Sequence, residues 1–259
     1  MIAVRDLALF VAGRTLLERM SFEIRQGEFV AMLGPNGVGK TTLLRTLAGL
    51  RRVETGEVVM DSRKLDSFSP TERSRAIAFV TSDDVFTDRL TVREVVAAGR
   101  YPHHHWWQWN EEPHDTEAIS AALRAVELEP LAHREFETLS SGERQRVWIA
   151  LALAQEATLL LLDEPTSHLD VRVAQNILTL LRAQVAAGKT VVSVLHDPNE
   201  AAAYADRVLL LEPGGVLAFD ERERALSPDL LGRAYGVKME SLRTASGAPR
   251  VFPAATSGL

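Results

Sequence analysis

The sequence predicts an α/β fold: a mainly parallel sheet covered by helices, with a small antiparallel β portion toward the amino terminus and a helical stretch inserted between strands. Three observations carry this expectation. An apolar strand candidate at 29–33 runs into a glycine-rich loop and then into Leu43, Leu44, Leu47 and Leu50, which recur at helical spacing. Further apolar strand candidates at 77–81, 159–163, 190–195 and 208–211 have amphipathic helical stretches between several of them. From about residue 83 to 156 that alternation gives way to helical patterning, best at 91–98, 115–126 and 140–155.

Taken in order, residues 1–60 are strand-rich. Residues 22–24 and 29–33 form short strands separated by the turn-like Gln26 and Gly27, and Val58, Val59 and Met60 follow Gly56. An antiparallel sheet beside the main one suits this stretch. Near the other end, Glu212, Pro213, Gly214 and Gly215 predict a turn between strands. Ser227 before Pro228 supplies a helix cap and a proline at the first helical position, and Gly236 after Tyr235 supplies a stop. The tail from Ala245 is rich in small residues and proline and is expected to add little catalytic chemistry. No internal repeat or low-complexity linker marks a further domain. The expected organisation is one domain over residues 1–240 with a helical subdomain inserted at about 84–156, then a short extension over 241–259.

Composition narrows the function classes. With 46% hydrophobic residues in 259, the chain can bury a sizeable core. Its 29 basic and 35 acidic side chains are interspersed and sum to −6, a balance that gives no support to nonspecific nucleic-acid binding. The longest apolar runs, such as 158–162 followed at once by Asp163 and Glu164, fall far short of the ~20 residues that cross a bilayer. The start of the chain lacks the basic region, apolar stretch and cleavage site of a secretory signal, so a cytoplasmic location is expected. The absence of cysteine excludes a disulfide scaffold and a thiolate nucleophile.

The chemistry begins at residues 34–41. Gly34, Pro35, Asn36, Gly37, Val38, Gly39, Lys40 and Thr41 match the pattern G-x-x-x-x-G-K-T between a strand and a helix. Small residues let successive backbone N–H groups converge on phosphate oxygens while the helix presents its positive end. Lys40 is expected to reach the β- and γ-phosphates as a mobile positive charge, Thr41 to place its hydroxyl on Mg2+, and Thr42 to help bind phosphate. A second acidic site follows Leu162. Asp163 can organise Mg2+ or a metal-bound water at the carboxyl end of its strand, where open α/β sheets expose ligand sites. Glu164, one residue farther, is directed toward a water attacking the γ-phosphate, as general base or positioning group. Either acid could instead cap the turn at Pro165, but two adjacent acids ending an apolar strand are costly without solvent, a metal or a hydrogen-bond network to receive them.

Leu139, Ser140, Ser141, Gly142 and Glu143 resemble the signature loop of the ATP-binding-cassette family, whose commoner form has glycine third and often glutamine fifth. Ser140 and Glu143 also fit a capping box, so helix initiation and ligand binding can coexist there. Asp163 to Thr166, then Ser167, His168, Leu169 and Asp170, and finally His196 complete the family order of magnesium aspartate, catalytic glutamate, dimer-facing loop and switch histidine. The resemblance spans roughly residues 7–219 and implies a P-loop NTPase cassette. It further implies that ATP held by one subunit is covered by Ser140, Ser141 and Gly142 of a second copy, with Asp170 facing that interface. His196 would contact the γ-phosphate, and transmembrane permease subunits would receive the motion.

Two positions depart from the pattern or leave it open. After the strand at 77–81 the family normally carries a glutamine that contacts magnesium or the attacking water; this chain has Ser82, then Asp83 and Asp84. Slower hydrolysis, altered coupling, replacement by a neighbouring acid and plain tolerance of serine all stay open. The aromatic platform under adenine is Phe10 if the nearest aromatic fills it, whereas loop length selects Val11, and ordinary strand packing accounts for Phe10 equally well.

Gly99, Arg100, Tyr101, Pro102 and His103, the run from Gly142 to Ile149, the run from Asp197 to Ala201, and Tyr235, Gly236 and Val237 resemble the branch that powers uptake of iron-siderophore, haem or cobalamin compounds. That implies an importer ahead of an exporter, iron-siderophore as first cargo, and indirect service to an extracytoplasmic solute-binding protein. His103, His104 and His105 do not automatically converge on a metal. Trp106, Trp107 and Trp109 are expected to pack under their loop or to dock on a membrane partner.

Overall fold

The computed structural model describes residues 2–81, 89–104, 112–243 and 249–254. It comprises two units, Met1–Ser67 with Val192–Leu259, and Phe68–Val191.

The first unit opens with β1 (Ile2–Val11) and β2 (Arg14–Ile24), paired antiparallel. In β1, Ile2 and Val4 are buried and then Leu7 and Leu9, so the alternation changes phase between Val4 and Leu7. The strand register shifts at that place and Asp6 takes φ 45°, the mark of a bulge that keeps apolar side chains inward. β3 (Phe29–Leu33) is buried throughout and leads into α1 (Lys40–Leu47). β4 (Thr55–Met60) and β5 (Arg63–Lys64) complete a sheet of order β2-β1-β4-β5, the antiparallel portion expected near the amino terminus.

The second unit runs through α2 (Pro70–Ala76), β6 (Ile77–Val80), α3 (Val92–Ala97), α4 (Pro113–Ala125), α5 (Ser141–Ala154), β7 (Leu159–Asp163) and α6 (Val171–Ala186). β6 and β7 pair in parallel, Ile77 opposite Leu159 and Val80 opposite Leu162. Parallel strands need a long crossover, and here the described residues between them build α3, α4 and α5. These helices bury Val92, Val95 and Val96, then Ile119 and Leu123, then Val147 and Ile149, while Phe136 meets Trp148 edge to face with ring centroids 5.4 Å apart. Ser82 lies outside the described residues, as do His105, Trp106, Trp107 and Trp109.

Polar contacts also lock this unit. A short 3-10 helix, Ala98–His103, buries Arg100 to 2% exposure. Its guanidinium donates from Nε to Asp115 Oδ1 at 2.8 Å and from Nη1 to Ala154 O at 2.6 Å and Glu156 Oε2 at 2.7 Å. The other Asp115 oxygen accepts the Glu112 amide at 2.9 Å and lies 2.8 Å from His104 Nε2. His103 Nε2 lies 2.9 Å from the Gln155 carbonyl. Gly99 is required here because a Cβ at that position would lie 2.4 Å from the Leu151 carbonyl oxygen of α5.

Through β8 (Thr190–Val194) the chain returns to the first unit and continues with α7 (Pro198–Tyr204), β9 (Arg207–Glu212), β10 (Gly215–Glu221), α8 (Arg222–Ala225), α9 (Pro228–Tyr235), β11 (Met239–Arg243) and β12 (Pro249–Pro253). Strand order within this unit is β10-β9-β3-β8, with β9 parallel to β3 and β10 antiparallel to β9. The predicted cap and stop of α9 are both present: the Ser227 hydroxyl accepts the Leu230 amide at 3.4 Å, and Gly236 ends the helix at φ 71°. β11 and β12 form an antiparallel pair from Met239 opposite Pro253 to Arg243 opposite Pro249, an element the composition of the tail did not announce.

Burial alone would raise the Asp115 pKa, but the Arg100 guanidinium, the Glu112 amide and the His104 ring outweigh it and hold the carboxyl at about 2. A carboxyl depressed in the folded state adds stability above its unfolded pKa and loses it as pH falls toward the folded value. Asp115→Asn is therefore expected to lower the unfolding free energy at neutral pH by about 3 kcal/mol. Urea titrations of the two proteins should converge as pH drops from about 4 to about 2, and a constant difference across that range would contradict this account of the pair.

Candidate functional site

In the first unit the site residues cluster where β3 ends. Beyond its last residue, Leu33, the backbone turns through Gly34 at φ 147°, Gly37 at φ 77° and Gly39 at φ 112° before α1 begins at Lys40. A Cβ on Gly34 would lie 2.6 Å from the Leu211 carbonyl oxygen of β9, so only glycine lets the loop leave the sheet here. Asn36 and Gly37 are exposed at the tip and Val38 is buried beneath it. Lys40 is 6% exposed, and its ammonium donates to the Gly34 carbonyl at 2.8 Å and the Pro35 carbonyl at 3.0 Å. A cation is thus held by two carbonyls of a glycine-rich loop at the start of a helix, a combination suited to an anion. Thr41 and Thr42 follow on the first turn of α1, both half-buried.

Phe10, also in this unit, is half-buried in β1 opposite Thr15, and its carbonyl accepts from the Arg51 guanidinium. Val11 is more exposed, at 41%. His196 follows the buried Leu195, whose amide donates to the Met32 carbonyl of β3 at 3.2 Å, and its side chain is exposed.

The second unit carries the acids. β7 is buried along its whole length and ends on Asp163, 7% exposed. Glu164 takes φ 52°, a left-handed conformation that disfavours a residue with a Cβ. Strain of that kind, about 1–3 kcal/mol, collects where a side chain must be aimed. The Ser167 hydroxyl donates to Glu164 Oε2 at 3.1 Å, and the Ser167 amide donates to the Glu164 carbonyl at 3.2 Å. Ser167, which the sequence places only in the dimer-facing loop, thus also holds Glu164. Asp170 caps α6 by accepting the Val173 amide at 3.0 Å and is exposed.

Ser140 starts α5 as the capping box predicted. Its hydroxyl accepts the Glu143 amide at 3.3 Å, while Glu143 Oε2 accepts the Ser140 amide at 2.8 Å and the Ser140 hydroxyl at 2.7 Å. The Ser140 hydroxyl, followed by its amide, holds the Glu143 carboxyl below the usual range. Ser140 and Ser141 are exposed and Gly142 half-exposed, so this helix start and its positive dipole face outward.

A family model described as ABC transporter matches residues 17–167. The chain belongs to the ABC transporter family. It is 38% identical over 251 residues to the ferric enterobactin transport ATP-binding protein FepC of Escherichia coli K12, covering 96% of this chain and 92% of FepC. To the hemin import ATP-binding protein HmuV of Nocardia farcinica it is 42% identical over 242 residues, 93% of this chain and 83% of that one. Among solved structures it resembles the dimeric post-hydrolysis state of the ATP-binding cassette MJ0796 bound to ADP and Pi, at TM-score 0.74 and 29% identity, covering 86% of this chain and 99% of that one. As a family member with this loop, the chain is an ATPase coupled to transport.

The capping geometry yields a test of stability separate from activity. Ser140→Ala removes the side-chain acceptor for the Glu143 amide and is expected to cost about 1 kcal/mol in chemical unfolding, whereas Ser140→Asn, also a good cap, should recover most of it. Equal stability of all three proteins would remove the cap from the account.

Proposed function

We propose that this ABC ATPase powers an importer for iron-siderophore complexes. It would act as a pair of copies on the cytoplasmic face of a permease embedded in the membrane, which accepts cargo from an extracytoplasmic binding protein. The observation that carries this reading is the buried Lys40 within a glycine-built loop, on a chain 38% identical to FepC across 96% of its length. No helix among the described residues is long and apolar enough to cross a membrane, so the translocation path would belong to partner subunits. The dimeric state of the MJ0796 cassette supports the pairing. A second reading, haem import, is favoured by the 42% identity to HmuV.

In this mechanism Lys40 leaves the Gly34 and Pro35 carbonyls to meet the β- and γ-phosphates, while Gly34, Pro35, Asn36, Gly37, Val38 and Gly39 offer backbone amides and Thr42 a hydroxyl. The Thr41 hydroxyl and the Asp163 carboxylate are hard oxygen donors of the kind Mg2+ accepts, and a near-buried carboxylate such as Asp163 gains from a cation beside it. Mg2+ held by these residues would neutralise charge on the transferring phosphate. Glu164, steadied by Ser167, accepts a proton from the water whose oxygen bonds to the γ-phosphorus as the bond to the bridging oxygen breaks. His196 holds that water and Glu164 in line with the γ-phosphate. Ser140, Ser141 and Gly142 of the second copy close over the same phosphate at the amino-terminal end of α5, with Glu143 keeping the helix start in shape and Asp170 lining the dimer face. Phe10 or Val11 lies under adenine. Ser82 has a shorter side chain than the glutamine the family usually carries, which makes hydrolysis and coupling both steps to examine at that position.

Three variants and a reconstitution test the mechanism. Glu164→Gln is expected to keep ATP-driven dimerisation, seen by sedimentation, while lowering phosphate release by about 100-fold or more; normal turnover would remove Glu164 from the chemistry. Ser140→Asn, stable by the preceding test, should still turn over slowly because its side chain no longer fits the partner's γ-phosphate. Cargo is decided by reconstitution with permease and binding protein. Ferric siderophore accumulation that depends on hydrolysis supports the first reading, and haem accumulation alone replaces it with the second. A Ser82→Gln variant that leaves ATPase activity and transport unchanged would make that position neutral.

A further inference from the structure

Two segments singled out in the sequence, 197–201 and 235–237, have no part in the mechanism above, and both meet the carboxy-terminal end of the first unit. Three residues beyond His196, Asn199 uses its whole side-chain amide. Its Nδ2 donates to the Val251 carbonyl of β12 at 3.1 Å, and its Oδ1 accepts the Val251 amide at 3.0 Å. The Asn199 side chain therefore pairs with β12 as a strand residue would, and Val251 is buried at the contact. The same Nδ2 donates to Asp197 Oδ1 at 2.9 Å, and that oxygen also accepts the Asn199 amide at 2.8 Å. Asp197, the neighbour of His196, is thereby fixed to Asn199, and Asn199 to the tail.

α9, which precedes the tail, ends close to the phosphate loop. Its last residue, Tyr235, is near the Gly34 backbone and Asp197, and burial, ahead of both, raises the pKa of its hydroxyl. α9 is itself secured to β9 by the Arg233 guanidinium, which donates to both Glu212 carboxylate oxygens at 2.9 and 2.6 Å. The β11–β12 pairing extends one step past the strands, where the Ala254 amide donates to the Lys238 carbonyl at 2.8 Å.

We propose that Asn199 is a positioning residue for His196, and that the β11–β12 hairpin is the brace it works against. On this proposal the tail has a part in catalysis that its composition did not suggest. A histidine on an exposed loop can hold attacking water in line only if the loop has one conformation, and the paired hydrogen bonds to Val251 supply that constraint from outside the nucleotide site. The inference rests on the assignment of His196 to the γ-phosphate.

The test compares Mg-ATP hydrolysis by the full chain, Asn199→Ala, His196→Ala, the two combined, and a chain ending at Arg243. Asn199→Ala is expected to lower kcat by about 10-fold with KM for ATP within about twofold, because alignment is lost and nucleotide binding is not. His196→Ala should cost about 100-fold, and adding Asn199→Ala to it should cost nothing more. The shortened chain should match Asn199→Ala; if it does not fold, Asn199→Ala and the combined variant decide the matter. Asn199→Ala turning over at the wild-type rate while His196→Ala is impaired overturns the inference and leaves the ATP mechanism standing. A loss expressed in KM alone, or one that adds fully to that of His196→Ala, overturns it too. Wild-type turnover by His196→Ala itself removes the histidine from the mechanism and the inference with it.

Discussion

A buried ammonium held by backbone carbonyls is the interaction on which the glycine loop of this chain depends. Lys40 is enclosed by a loop whose glycines at 34, 37 and 39 let the backbone turn round it, and it is tolerated there because the Gly34 and Pro35 carbonyls accept hydrogen bonds from its ammonium. Those carbonyls are weaker partners than phosphate oxygens, so in the proposed mechanism a triphosphate entering the loop would exchange neutral acceptors for charged ones. The rigidity of the exchange comes from below. β3 is buried along its length, and Gly34 lies against Leu211 so closely that no side chain fits between them.

The second unit prepares its groups by other means. Glu164 is aimed by a strained backbone and steadied by Ser167, and Ser140 is shaped by a capping box that consumes the Glu143 carboxylate. In both cases the side chain is held by local contacts within a few residues, which would suit the proposed parts of a cycle of association and release. The Arg100 cluster plays the corresponding role at longer range. It fixes the segment from Ala98 to His103 against the end of α5 with ion pairs and a close backbone approach.

How much of this could be read from the sequence follows from the range of the forces involved. The phosphate loop was legible because a strand, glycines, a lysine and a helix are contiguous, and β7 was legible to its last residue because an apolar run stops at Asp163. The cap at Ser227 and the stop at Gly236 are local rules applied locally. The left-handed turn at Glu164 gave no sign, since glycine is the usual mark of such a backbone and is absent there. The β11–β12 pair was missed because Pro249 and Pro253 disguise a strand, and its partner contact, Asn199, is 52 residues away from Val251. The pairing of Arg100 with Asp115 and Glu156 was equally hidden, because nothing in the spacing of charges along a chain says which of them will be buried together.

The most direct measurement is a crystal structure of the chain with Mg2+ and a nonhydrolysable ATP analogue. Lys40 Nζ is expected to have left the Gly34 and Pro35 carbonyls for the β- and γ-phosphate oxygens, with the α5 amino terminus of a second copy over the same γ-phosphate. A nucleotide bound elsewhere, with Lys40 still on its two carbonyls, would contradict the account.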